Sequence, residues 1–199
     1  MKSTLLIIAC LLVNMLSAQL KLSVHNIAPR VGDEIWVTIT FPESEISSNG
    51  SAASKTDIQI SKLITKVGDV WVGPFTFKVG DNTLTSDSVL IQVAEKLPND
   101  KEDFIVRQVT CNGKEYLVVE EFNKKNNFTK LKTGSVDGDI SLKETGSTAI
   151  SSKGKGGLPF KATVYEIKKG SGYNGNAMIT AKNFSDFPEN IPFEGYTIH

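Results

Sequence analysis

Apolar and polar residues alternate along much of this chain, and the alternation breaks at Gly, Pro, Asn and Asp. The stretch from Val67, VGDVWVGPFTFKVGDNTLTSDSVLIQV, holds two such runs around Gly80-Asp81-Asn82. A period of two puts successive side chains on opposite faces of a strand. The pattern therefore calls for short, half-buried β-strands and leaves no convincing helix before residue 94. Glu34 to Phe41, EIWVTITF, is the clearest case. Ile35, Val37, Ile39 and Phe41 share one face, and Trp36, Thr38 and Thr40 share the other. The β-branched residues in this run fit a pleated surface.

The first half reads as strand after strand. Leu22 to Ile27 is a first strand, and Pro29-Arg30-Val31-Gly32-Asp33 is a turn. Pro42 to Thr56 is polar and Ser-rich, which predicts an exposed loop. Asp57 to Thr65 alternates again at Ile58 and Ile60. Val70 and Val72 face inward and Trp71 outward. Gly73-Pro74 breaks the phase, because Pro donates no ladder hydrogen bond. Phe75, Phe77 and Val79 then take the core side, Gly80-Asp81-Asn82 turns the chain, and Val89, Ile91 and Val93 form a last strand. About six or seven short strands at this spacing predict an antiparallel sandwich.

Glu95 to Asp103 is charged and reads as a linker. Beyond it, Phe104 to Cys111 and Lys114 to Phe122 flank Asn112-Gly113, a strong type I′ hairpin signal. That loop pairs Cys111 with Lys114 and Val109 with Tyr116. One face then collects Phe104, Val106, Leu117 and Val119; the other holds Ile105, Val109, Cys111, Tyr116 and Val118. A hairpin apolar on both faces is expected at the centre of a sheet. Glu120-Glu121 and Lys124-Lys125 read as solvated charges. Thr133 to Gly157 is rich in Gly, Ser, Thr and Lys, which predicts a mobile loop with a short strand at Ile140 to Leu142. Leu158 to Ile167 and Ala177 to Ala181 are further strands, Asn183 to Pro188 a turn or single helical turn, and Phe193 to Ile198 the closing segment. The expected fold is all-β, with antiparallel β-sandwich domains at 20–96 and 104–199 joined by a linker at 97–103.

The N-terminus is read as a cleaved signal peptide, residues 1–18. Lys2 is followed by the apolar run LLIIACLLVNML and by Ser17-Ala18-Gln19, with the cut after Ala18. The run is short for a membrane span and no second one follows, so the mature chain is expected without a transmembrane span. Export to the periplasm or the medium follows. Ile7-Ile8-Ala9-Cys10 is similar to a lipoprotein cleavage box. The few apolar residues before it and the apolar LLVNML after it argue against lipidation of Cys10. Cleavage leaves Cys111 alone, so no intrachain disulfide forms, and Cys111 is expected as a small buried hydrophobe. Lys plus Arg and Asp plus Glu number 22 each, a balance that argues against a nucleic-acid partner.

Little catalytic chemistry is legible. The histidines are His25 and His199, and no converging set of His, Cys or carboxylates with metal-ligand spacing accompanies them. No G-x-S-x-G occurs, and Cys111 has no evident base. Gly154-Lys155-Gly156-Gly157 lacks the spacing of a phosphate loop, and Asp137-Gly138-Asp139 is a turn without the rest of a calcium loop. Asn49-Gly50-Ser51, Asn127-Phe128-Thr129 and Asn183-Phe184-Ser185 are glycosylation triplets. No catalytic, cofactor or metal residue is assigned, and an enzyme is not expected. Trp36 and Trp71 remain as a candidate interaction surface. Each lies on the face opposite its strand's core residues, where a Trp anchors an interface or covers a sheet rim.

The run Val31-Gly32-Asp33-Glu34, the segment from Val67-Gly68-Asp69-Val70-Trp71 through Gly73-Pro74-Phe75-Thr76-Phe77-Lys78-Val79, then Ser86 and Val89 to Val93, together resemble the N-terminal part of the BatD aerotolerance, or oxygen-tolerance, family. Asp103-Phe104-Ile105-Val106 is similar to the way that family begins its next domain. The resemblance implies immunoglobulin-like β-domains exported to the periplasm and no catalytic site. It also implies association with von Willebrand A-domain membrane proteins and a MoxR-type ATPase. The expected function is an exported, non-catalytic protein-interaction scaffold. A different class is a secreted carbohydrate-binding or adhesin-like module, in which Trp36 and Trp71 stack on sugar rings.

Overall fold

A computed structural model describes residues 20–42, 57–98, 100–132, 134, 136–150 and 157–199. The expected signal segment, most of the Ser-rich loop and part of the Gly-rich loop therefore lie outside the described residues. The chain divides into two compact units, Met1–Glu95 and Lys96–His199. Both are built of antiparallel β-sheets, as expected of β-sandwich architecture.

In the first unit, β1 (Lys21–Val24), β2 (Glu34–Thr40) and β3 (Asp57–Leu63) form one sheet in that order. β4 (Gly68–Val72) pairs with β7 (Val89–Val93), and β5 (Thr76–Val79) with β6 (Asn82–Thr85). Alternation sorts β2 as the sequence requires: Ile35, Val37 and Ile39 are wholly buried. Val72, Val89, Ile91 and Val93 are buried from the β4–β7 pair. Each such side chain contributes about 1.5–3 kcal/mol by leaving water. Phe77 meets Phe41 edge-on, ring centroids 5.5 Å apart. The β5–β6 loop is Gly80-Asp81 alone, since Asn82 already pairs with Val79. Buried Arg30 ties the end of the unit to its start. Its backbone bridges Ala94, and its guanidinium donates to the Glu95 carbonyl at 2.6 Å.

In the second unit, β8 (Asp103–Cys111), β9 (Lys114–Phe122), β11 (Ile140–Ile150) and β12 (Phe160–Lys169) form a four-stranded sheet, ordered β11-β12-β9-β8. The hairpin register is the expected one, Cys111 opposite Lys114 and Val109 opposite Tyr116. Asn112 (φ 51°) and Gly113 (φ 71°) both hold the positive φ that a type I′ turn demands. One expectation needs correcting: β9 is internal, but β8 is an edge. Near the C-terminus, Tyr196 meets its outward backbone and His199 its Gln108 side chain. The Gln108 N–H donates to the Tyr196 hydroxyl at 3.0 Å. The Gln108 side chain donates to the His199 carbonyl and accepts from the His199 N–H.

β11 corrects a second expectation, being 11 residues long rather than a short strand at Ile140 to Leu142. Leu142 is its buried hydrophobic anchor among the described side chains, and a bulge between Glu144 and Gly146 shifts its register. Two short pairs complete the unit: β10 (Lys130–Leu131) with β14 (Phe184–Ser185), and β13 (Ala177–Ile179) with β15 (Tyr196–Ile198). A 3-10 turn, Ala181–Asn183, leads into β14. Phe104 from the sheet lies edge-on to Phe184, Phe187 and Phe193, with centroids 4.9, 4.8 and 5.1 Å away. Edge-to-face pairs of this kind favour the ring quadrupoles and fix how this face of the sheet is covered.

Candidate interaction surface

Trp36 is 49% exposed and Trp71 61%. Both follow from alternation: Trp36 sits between wholly buried Ile35 and Val37, and Trp71 between Val70 and buried Val72. The indoles belong to separate sheets, Trp36 to β1-β2-β3 and Trp71 to β4-β7. They therefore do not form a paired platform on one sheet face.

Trp36 has a companion that the sequence reading passed over. In the β2–β3 ladder Trp36 lies opposite Ser61 and Glu34 opposite Leu63. Leu63 is thus the diagonal neighbour of Trp36 on the same outer face, and it is 59% exposed. Diagonal neighbours stand about 7–8 Å apart, within reach of long side chains. Around them the face is polar. Thr38 shares a 2.6 Å hydrogen bond with the His25 ring, and Gln59 and Ser61 alternate outward on β3. An apolar centre with a hydrogen-bonding rim is the anatomy of a recognition patch. The same strand is an edge of its sheet. Lys62 stands on its inward side, beside Ile35 in register.

The second unit overturns one reading outright. Glu120 and Glu121 are not solvated: they are 3% and 2% exposed. Glu120 takes a two-toothed bond from Arg107, Nε to Oε2 at 3.0 Å and Nη2 to Oε1 at 3.3 Å. Such fork geometry offsets the cost of burying the carboxylate. Glu121 lies on the opposite face and is held mostly by neutral donors. Its Oε2 accepts from the Thr129 backbone N–H (2.9 Å) and hydroxyl (3.1 Å), and its Oε1 from the Asn123 side-chain amide (3.1 Å). Asn123 also donates to the Asn127 carbonyl at 2.8 Å. This network knots the loop between β9 and β10. Lys124 and Lys125 are exposed, as expected.

The remaining sequence candidates resolve individually. Cys111 is buried, and burial pushes its thiol pKa up. The backbone of His199 is engaged by Gln108. Asp139 has φ 52° and accepts the Gly172 N–H at 2.7 Å, so its carboxylate braces a turn. Of the glycosylation triplets, Asn49 lies outside the described residues. Asn127 is exposed, while Asn183 is buried and accepts from the Thr180 N–H at 2.6 Å. Lys155 and its glycine neighbours at 154 and 156 also lie outside the described residues. Between β9 and β12, Lys114 lies 3.2 Å from Glu166. The pairing raises the lysine's pKa and lowers the glutamate's. Among the described residues no three His, Cys, Asp or Glu side chains gather as a metal site. No described helix is long and apolar enough to cross a membrane.

A scan against protein families finds no matching model, and a comparison with curated proteins finds no match.

Proposed function

We propose that this chain is an exported, non-catalytic β-sandwich scaffold that binds another protein through the outer face of β2 and β3. The observation that carries this reading is the exposed Trp36–Leu63 pair, set in a polar rim on an edge of a well-packed sheet. Trp is the residue most enriched among interface anchors, and a rigid sheet presents it at low entropic cost. The resemblance to the BatD family points to the periplasm and to von Willebrand A-domain membrane proteins as the partner class. Trp71, on its own sheet, is a second and separate contact. A carbohydrate-binding module is the competing class. It is less favoured because the two indoles do not share a sheet.

The test is affinity capture of tagged mature chain, from Gln19, in its native host, in parallel with Trp36→Ala and Leu63→Ala. The proposal expects a von Willebrand A-domain protein with the parent chain and at least tenfold less with either variant, on the usual scale of a hot-spot loss of about 1.4 kcal/mol or more. Equal recovery by all three chains, or recovery of polysaccharide alone, contradicts it.

A further inference from the structure

The Glu121 network borders a crevice of about 10 Å³ on one face of the second unit's sheet. Five polar side chains line it: Glu121, Thr129, Lys161, Thr163 and Tyr165. Lys161 is half-buried and the other four are buried, Thr163 at 5% exposure. They come from three directions. Glu121 lies on β9, Thr163 and Tyr165 lie two residues apart on β12, and Thr129 comes from the loop before β10. In register, Lys161 opposes Glu121 and Thr163 opposes Val119, so all the strand residues project from one sheet face. Phe184 and Leu131 close the site with apolar surface.

We infer that this crevice is a binding site for one ordered water molecule, which bridges the Thr163 hydroxyl to the Glu121 carboxylate. Three observations converge. The volume matches a single water, which needs about 10–15 Å³. Among the described residues, the Thr163 hydroxyl makes no hydrogen bond to protein, yet no fully enclosed side-chain polar atom lacks a partner. That hydroxyl therefore borders the crevice space rather than packed protein. Glu121 has acceptor capacity to spare: Oε2 accepts two bonds but Oε1 only one from the named donors. A carboxylate offers roughly four lone-pair sites. Dry cavities are apolar, whereas polar ones of this size hold water. The Tyr165 phenol belongs to the same wall. Burial raises its pKa, the Glu144 charge adds to the rise, and a bond with the Leu131 backbone opposes it, so it is neutral at ordinary pH. The bound water joins β12 to the loop that Glu121 organises.

High-resolution crystal structures of the full chain and of Thr163→Ser and Thr163→Val test this, with water itself as the probe. The expected result is one water peak within about 3.2 Å of both the residue-163 hydroxyl and a Glu121 oxygen in the parent and in Thr163→Ser. It is absent in Thr163→Val. The inference is overturned by an empty crevice in the parent map, or by a peak that persists unmoved in Thr163→Val. A peak with several oxygen ligands near 2.4 Å also overturns it, since that distance marks a cation. Should Thr163→Val fail to fold, the parent map alone decides.

Discussion

Glu121 shows how much one residue can hold in place. Its carboxylate collects the Thr129 N–H, the Thr129 hydroxyl and the Asn123 amide. Replacing it with Ala leaves those buried donors without an acceptor. Hydrogen bonds to a charged group are worth about 1.5–3 kcal/mol each, partly redundant here, so Glu121→Ala is expected to cost about 3 kcal/mol. Urea unfolding of parent and variant measures this directly, and a loss under about 1 kcal/mol contradicts the network's role. No local signal in Glu120-Glu121 announces burial. Adjacent acidic residues near a strand end look solvated, and their partners, Arg107 and Thr129, are identified only once strand register and loop path are known. Trp36 is the opposite case: a period of two places it outside Ile35 and Val37 with no tertiary information. Leu63 was equally legible. If Ile58 and Ile60 face inward, Leu63 faces out and Lys62 in, but a lone outward Leu beside inward-facing Ile64 draws no attention.

Among the strands, β3 and β11 carry the lessons. β3 is an edge strand with inward-facing Ile58 and Ile60, a template on which another strand could pair. Lys62 on the inward side is the device that natural sheets use against unwanted edge pairing. Lys62→Ile is therefore expected to promote self-association. Light scattering across a concentration series should show growth in mass for the variant and less for the parent. If both remain equally monomeric, the edge is protected by something other than Lys62. β11 was legible over only its first residues because an edge strand of Ser, Thr, Gly and Lys buries too little to need apolar alternation; pairing with β12 specifies it. The Asn112-Gly113 hairpin was legible in full, since positive φ at both positions is a local requirement. Between β9 and β12, the Lys114–Glu166 pair makes a pH statement. The glutamate's folded pKa is lowered, so its contribution is complete above the unfolded value of about 4.3 and is lost as pH falls through the folded one. The lysine's is raised, so its contribution holds below about 10.4 and is lost as pH rises through the folded value. The Tm difference between parent and Glu166→Gln should be constant between those limits and shrink outside them. A difference independent of pH from 2 to 12 contradicts this.

At the scale of the whole molecule, the chain is two all-β units whose described residues show no metal cluster. Alternation and turn chemistry made that architecture readable, because strand faces and hairpin loops are set by neighbours in sequence. Function was less readable, because a recognition patch is defined by what it binds. The account rests on the outer face of β2 and β3 being a protein interface. The measurement that tests it most directly is site-specific photocrosslinking in the native host, with a photoreactive phenylalanine placed in turn at Leu63, Ser61 and, as a control on β5, Lys78. The account predicts a single crosslinked protein at Leu63 and Ser61, lost when Trp36 is changed to Ala, and none at Lys78. No protein crosslink at Leu63 or Ser61, or the same products at all three positions, contradicts it.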